Sequence, residues 1–216
     1  MQITIWSDFV CPFCYIGATN LKKALENFEH KNEVTIEYKS YQLEPGAKYQ
    51  PDKTYVEAMV ERKQSTEAEM SQMLNQVTQM AANAGLSYNF EEAKLTDTFP
   101  AHRVSQYAKE NDKDVAFYDK LYASFFTNGE LISDPDVLAR IAGEIGLSQE
   151  RVREILKDEK LYDKEVVTDI LEAQQVGLQG VPFFVLNNKY AVSGAQPVEA
   201  FEQALEQVHA EFSENS

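Results

Sequence analysis

The sequence has no long apolar run. No stretch of about 18 consecutive apolar residues occurs in its 216 residues, so no membrane-spanning helix is predicted. The amino terminus also lacks a basic segment followed by an apolar run and a cleavage site, the pattern of a secretory signal. We therefore expect a cytoplasmic protein that does not bind membranes.

Positive charge is also scarce. Lys and Arg together number 20 against 35 Asp and Glu, which gives a formal net charge of −15 and a pI near 4.6. Such a chain repels nucleic acid and anionic membrane surfaces, so we expect neither as a partner. The remaining composition, with 44% hydrophobic and 25% charged residues, is that of a globular protein with a substantial core.

The two cysteines, Cys11 and Cys14, lie three residues apart where a strand pattern gives way to a helix pattern. Residues 1–6 alternate as a half-buried strand does, and helical periodicity begins near Pro12. A cysteine at a helix start faces unpaired backbone N–H groups and the positive end of the helix dipole, which favour a thiolate. Cys14 follows one turn later on the same face, so the pair can close into a disulfide. We interpret Cys11 as a nucleophile and Cys14 as the thiol that resolves a mixed disulfide.

Three other interpretations of the cysteines compete with this one. A zinc site needs about four ligands, and the three histidines, His30, His102 and His209, are scattered along the chain without ligand spacing. A structural disulfide across so short a loop would stabilise the fold little. Two incidental buried cysteines are the third possibility. The succession of strand, Cys-x-x-Cys and helix favours a redox pair without a metal.

The strand patterns lie near the two ends of the chain, and the long middle region has helical patterns. A strand, a helix and a strand come first, and a hairpin and a helix come last. The later predicted elements are strands at residues 34–43, 183–186 and 189–193 and a final helix that begins near Val198.

This order predicts an α/β protein with a thioredoxin-like fold and a large all-helical insertion domain. Residues 1–45 and 177–216 would form the discontinuous thioredoxin-like domain. Residues 46–176 would form the helical insertion domain. The cysteines would then lie where a strand end meets a helix start, the usual place for a site in such sheets.

Two motifs point to a known family. Cys11-Pro12-Phe13-Cys14-Tyr15-Ile16-Gly17 follows a short strand, and Gly180-Val181-Pro182 precedes an apolar hairpin. With the helical region between them, the chain resembles the DsbA family of thiol–disulfide oxidoreductases. It is more similar still to the FrnE-like branch, whose members carry Asp-x-x-Cys-Pro-Trp-Cys-Tyr-Ile-Gly near residue one. Residues 98–103 also resemble the branch's Asn-Thr-x-x-Ala-His-Arg, although Asp97 stands here in place of Asn.

The resemblance implies a protein-disulfide oxidoreductase or isomerase whose only redox group is the Cys11–Cys14 disulfide. Its partners would be thiol- or disulfide-containing proteins or small thiols, with glutathione as one candidate substrate. It implies a cis peptide bond before Pro182, and a substrate surface built from the residues that flank the cysteines and the proline: Pro12, Phe13, Val181 and Pro182. DsbA has a histidine between its cysteines, whereas Phe13 brings no positive charge, so we expect a less oxidising disulfide here. The oligomeric state and the direction of the reaction are left open.

The sequence also leaves open a role for His102 and two other functions for the protein. His102 is either a catalytic base or a residue that supports the packing of the helical region over the site, and the second is favoured because a histidine at a helix start is no nucleophile partner by itself. Kappa-type transferases and chromene carboxylate isomerases share the fold and bind glutathione, but they generally have Ser where this chain has Cys11. A redox-sensing adaptor protein is the third function.

Overall fold

The computed structural model describes residues 1–214, with side chains through residue 211. The last two residues of the range 177–216 therefore lie outside the described residues. A short 3₁₀ turn, Lys31–Glu33, joins the first helix to the second strand. The strands and α-helices in chain order are β1 (Gln2–Ser7), α1 (Pro12–Asn27), β2 (Thr35–Ser40), α2 (Tyr55–Lys63), α3 (Glu67–Asn83), α4 (Phe99–Lys109), α5 (Asp114–Phe126), α6 (Pro135–Glu144), α7 (Gln149–Lys157), α8 (Asp163–Gln175), β3 (Phe183–Leu186), β4 (Tyr190–Ser193) and α9 (Val198–Glu214).

The strands form one sheet in the order β2-β1-β3-β4. β1 and β2 are parallel, because α1 crosses over between them, and β3 pairs antiparallel with both β1 and β4. The hairpin turn between β3 and β4 uses Asn187 and Asn188, both with positive φ, as a type I′ turn requires. The predicted α/β class, thioredoxin-like with a helical insertion, is confirmed.

Two predicted strands are shorter than expected. The strand predicted at residues 34–43 ends at Ser40, because the chain then turns toward the cysteine loop and the Leu43 N–H donates to Asp8 Oδ2 at 2.7 Å. The strand predicted at residues 189–193 begins one residue later, because the Lys189 N–H closes the hairpin turn on the Leu186 carbonyl. Neither difference moves a residue of the predicted site.

The middle helices pack directly on the sheet. Helices α4, α5 and α8 all contact β2, and α1 packs against α9. One continuous apolar core includes Phe9 and Phe184 from the chain ends together with Tyr118 and Tyr122 from α5. The helical region is therefore held against the sheet by shared burial.

Hydrogen bonds from α8 fix the same contact near the ends of β1 and β2. The Trp6 indole N–H donates to the Asp169 carbonyl at 3.1 Å, and Asp169 Oδ2 accepts from the Ser40 N–H at 2.9 Å and from Gln106 Nε2 at 2.7 Å. Burial raises the pKa of Asp169 above its ordinary value. Within residues 1–214, none of the helices has the length and apolar character needed to cross a bilayer.

Candidate functional site

The loop after β1 places Cys11 immediately before the first residue of α1. Cys11 is the N-cap residue with an extended backbone (φ −86°, ψ 110°), and Pro12 takes the first helical position, where a missing N–H does no harm. The Cys11 N–H donates to the Asp8 carbonyl at 3.1 Å and the Cys14 N–H to the Cys11 carbonyl at 3.0 Å. The Cys11 side chain therefore lies where the free N–H groups and the positive dipole end of the helix stabilise a negative charge.

Cys14 lies below Cys11, inside the protein. Both cysteines are free thiols, and Cys14 is fully buried. Burial raises the pKa of the Cys14 thiol well above its ordinary value, and the neighbouring Cys11 adds to the increase. Hydrogen bonds from the Ser7 side chain and the Asp8 backbone act in the opposite direction. The Cys14 thiol therefore carries its proton near neutral pH.

The sheet brings the distant Val181-Pro182 segment to the cysteines. Trp6 pairs with Phe183, so the residues before β3 lie beside the loop that follows β1. The Cys11 thiol donates to the Val181 carbonyl at 3.4 Å, and the Val181-Pro182 peptide bond is cis. An open groove of about 480 Å³ adjoins this segment, lined by residues 177–183 with Ser193 and Gly194.

The flanking residues differ in how far they reach solvent. Phe13 is 36% exposed, whereas Cys11 is only 2% exposed. Val181 is half-buried and Pro182 is buried. Phe13 and Val181 are therefore the more accessible of these residues, and Cys11 and Pro182 lie deeper. An extended substrate chain would find apolar contacts there, next to the open groove.

The close approach of α1 to the hairpin depends on Gly17. A Cβ at this position would lie 3.1 Å from the ring atoms Cζ of Phe184 and Cγ of Pro182, and 3.4 Å from Cα of Ala195. These distances leave no room for a branched side chain. Gly17 therefore sets the distance between the cysteine helix and the proline segment.

We expect Gly17→Val to destabilise the protein by about 1–3 kcal/mol, because overpacking displaces Pro182 and Phe184. It should also slow disulfide exchange, since the same displacement moves Val181 away from Cys11. Urea unfolding and an exchange assay on the folded variant measure the two effects. Gly180→Val is the matched control for stability, because a Cβ at Gly180 meets no atom within 4 Å. An equal loss of unfolding free energy in both variants would contradict this role for Gly17.

Below the cysteine loop lies a buried pair, Asp8 and His102, both 0% exposed. His102 Nε2 is 3.2 Å from Asp8 Oδ1, and His102 Nδ1 is 3.5 Å from the Tyr118 hydroxyl. The His102 ring also packs on Phe9, with 4.6 Å between the ring centres. Among the hydrogen bonds of the described residues, His102 is linked to Cys11 through Asp8, whose carbonyl accepts from the Cys11 N–H, and this arrangement favours the supporting role over the catalytic one.

Three further residues around the cysteines were missed at the sequence level. Ser7 hydrogen-bonds the Tyr122 hydroxyl as well as Cys14, and the Tyr88 hydroxyl donates to the Pro12 carbonyl at 2.6 Å. Tyr88 and Tyr122 come from the helical region, far from the cysteines in the chain. Ser7 could have been found from its place beside the motif, but nothing local marks the two tyrosines.

The structure thus brings together the cysteines, Val181 and Pro182, with Pro12 and Phe13 beside them. Among the side chains described, the cysteines belong to no group of three or more metal-ligating residues. This arrangement can carry out thiol chemistry: a sulfur at a helix start, a protonated second thiol one turn away, and a backbone carbonyl at the place where a substrate would lie.

Comparison with known proteins agrees with this geometry. A family model described as DSBA-like thioredoxin domain matches residues 2–206. A probable DsbA oxidoreductase from Streptomyces coelicolor is 36% identical, with a TM-score of 0.89 over 98% of this chain and 91% of that one.

Two more distant structures share the fold. The chain is 14% identical to a 2-hydroxychromene-2-carboxylate isomerase, with a TM-score of 0.74 over 100% of both chains. It is 16% identical to the cytosolic disulfide reductase DsbM from Pseudomonas aeruginosa, solved with GSH, with a TM-score of 0.67 over 96% of this chain and 98% of that one.

Proposed function

The chain belongs to the family of DSBA-like thioredoxin domains and is by that membership a protein-disulfide oxidoreductase, and we propose that it exchanges disulfides through Cys11 as nucleophile and Cys14 as resolving thiol. The observation that carries the proposal is the inequality of the two thiols: Cys11 caps the start of α1 beside the Val181 carbonyl, while Cys14 lies one turn into the helix with a raised pKa. In a pair of this kind, one sulfur attacks the substrate and the other resolves the mixed disulfide afterwards.

In the reducing direction, the Cys11 thiolate attacks one sulfur of a substrate disulfide. A Cys11–substrate disulfide forms, and the other substrate sulfur leaves as a thiolate that takes up a proton. Cys14 then loses its proton and attacks the Cys11 sulfur, which releases the second substrate thiol and leaves the Cys11–Cys14 disulfide. Two electrons pass from the protein to the substrate, and the reverse sequence oxidises a dithiol substrate.

The substrate surface is part of the same proposal. The substrate would contact four residues: Pro12, Phe13, Val181 and Pro182. The Val181 carbonyl accepts a hydrogen bond from the Cys11 thiol at 3.4 Å, and it would accept one from the backbone of the incoming substrate instead. Phe13 and the adjoining groove suit an unfolded or extended protein segment. Glutathione is the small-thiol candidate, and GSH accompanies the DsbM structure named above.

The setting of the reaction is a further part of the proposal. A cytoplasmic location is the one named for DsbM, the cytosolic disulfide reductase that shares the fold, and in such a reducing compartment two cysteines are more often redox-active than structural. The thioredoxin-like domain, residues 1–45 and 177–216, would carry the reacting cysteines. The insertion domain, residues 46–176, would supply Tyr88, His102 and Tyr122 around them. Membership of the FrnE-like branch stays a prediction.

The proposal predicts a reversible disulfide whose potential responds to the Cys14 proton. Reduction returns a proton to Cys14 at any pH below the pKa of that thiol, so the midpoint potential falls as the pH rises. Because burial raises this pKa well above 9.0, we expect the potential to keep falling by at least about 30 mV per pH unit between about pH 9 and pH 10. Near neutral pH it should lie below the value of about −120 mV for DsbA.

Equilibration in dithiol buffers, followed by alkylation and mass spectrometry, measures these potentials. Cys14→Ser is the control, because it cannot form the intramolecular disulfide. A slope that vanishes just above pH 9 would contradict the protonated resolving thiol. Failure to form the disulfide at any potential would contradict the proposed function itself.

A further inference from the structure

Two histidines far apart in the chain meet beside one carboxylate. His30 begins the 3₁₀ turn Lys31–Glu33 and Glu33 ends it, and side chains three apart in such a turn lie side by side. His30 Nδ1 is 3.3 Å from Glu33 Oε1, and His209 Nε2, from α9, is 3.7 Å from Glu33 Oε2. One ligand atom from each residue lies within 4.8 Å of the others.

The two imidazoles pack against each other and against Phe28. Their rings stack with 3.7 Å between centres, and each meets Phe28 edge-on at 5.7 Å. Phe28 is buried, and so is Val208, the residue beside His209. His209, with a side chain 19% exposed, is therefore placed by the core, while the more exposed side chains of His30 (36%) and Glu33 (64%) can rotate.

We propose that His30, Glu33 and His209 bind a divalent transition-metal ion, with zinc as the first candidate. Two imidazole nitrogens and one carboxylate oxygen are ligands that Zn²⁺ prefers, and water completes the coordination. Zinc–ligand distances of about 2.0–2.2 Å require the three ligand atoms to draw closer together than 4.8 Å. Small rotations of the exposed Glu33 and the half-exposed His30 bring this about.

The site is separate from the cysteines. Helix α1 has 16 residues between Cys11 and the 3₁₀ turn, which places the cluster about 24 Å from the cysteine end of that helix. The ion would link the turn before β2 to the last helix, and so join the beginning and the end of the chain. Because an ion that binds the folded protein stabilises it by mass action, the expected effect is on stability and not on exchange.

Isothermal titration with Zn²⁺ tests the proposal on tag-free, full-length protein that carries Cys11→Ser and Cys14→Ser. The double substitution removes the thiols, which would otherwise bind zinc themselves. We expect one ion per chain and a melting temperature that rises with zinc concentration. Co²⁺ should give visible bands without the charge-transfer absorption of a thiolate ligand.

Variants of the cluster locate the site. Loss of a group that only hydrogen-bonds to a metal ligand weakens binding about 10- to 100-fold, so His30→Ala, His209→Ala and Glu33→Gln should each weaken it at least as much. Glu29→Ala, which removes an exposed carboxylate beside His30, should bind normally. Glu33→Gln alters an exposed side chain and should fold normally. It therefore tests the site even if a histidine variant fails to fold. Absence of binding, or equal weakening by Glu29→Ala, would overturn the proposal.

Discussion

Replacing Cys11 with serine will lower the protein-catalysed reduction of insulin disulfides to the uncatalysed rate. A serine hydroxyl at the start of α1 fills nearly the same space, but it stays protonated and cannot form a disulfide with a substrate sulfur. Both cysteines are buried, but the Cys11 sulfur lies at the carbonyl of Val181, a residue that lines the open groove. The variant should keep its melting temperature, because the replaced side chain is small and its contacts remain.

The Cys14→Ser variant is the matched control. It retains the nucleophile and should still attack a substrate, but it cannot release the product by forming the Cys11–Cys14 disulfide. A single burst of one substrate thiol per chain is therefore expected. Full turnover by Cys11→Ser would contradict the assignment of the nucleophile. Loss of insulin reduction with full cellular function in the same variant would instead favour a redox-sensing adaptor.

The His102→Ala variant will lose about 3–5 kcal/mol of stability, because it leaves the buried Asp8 carboxylate without its partner. Among the hydrogen bonds described for its carboxylate, Asp8 would keep the one from the Leu43 N–H at 2.7 Å, in a position that is 0% exposed. The loss also opens a cavity against Phe9 and Tyr118. Urea unfolding of the reduced protein measures the change.

A double-mutant cycle separates the lost pairing from the lost packing. Adding Asp8→Asn to His102→Ala removes the unpaired charge, so the double variant should lose less than the sum of the two single losses. The exchange rate per folded molecule should stay close to that of the wild type, because His102 is fully buried and is linked to Cys11 through Asp8. A large drop in rate at unchanged stability would favour the catalytic-base interpretation.

The sequence was sufficient for the parts of this protein that depend on local patterns. The alternation of β1, the apolar run of β3 and the Asn187-Asn188 turn each follow from neighbouring residues, and so does the place of Cys11 at a helix start. The family resemblance, which the match to residues 2–206 confirms, then placed Pro182 beside the cysteines. The cis bond before Pro182 agrees with that expectation.

What the sequence could not predict depends on contacts between distant residues. Asp8 and His102 are 94 positions apart, and only the packing of α4 beneath the cysteine loop brings them together. The contact between His30 and His209 is likewise hidden in the sequence, because spacing along the chain cannot show that α9 returns to the end of α1. The tyrosines near the cysteines were missed for the same reason.

The roles of the two thiols are tested most directly by trapping the intermediate. The Cys14→Ala variant, mixed with a peptide disulfide and then digested without reductant, should give a single mixed disulfide. Mass spectrometry should locate it on Cys11. In the complementary Cys11→Ala variant, the buried and protonated Cys14 should yield almost none. Efficient trapping on Cys14, or none on Cys11, would contradict the assignment of Cys11 as nucleophile and Cys14 as resolving thiol.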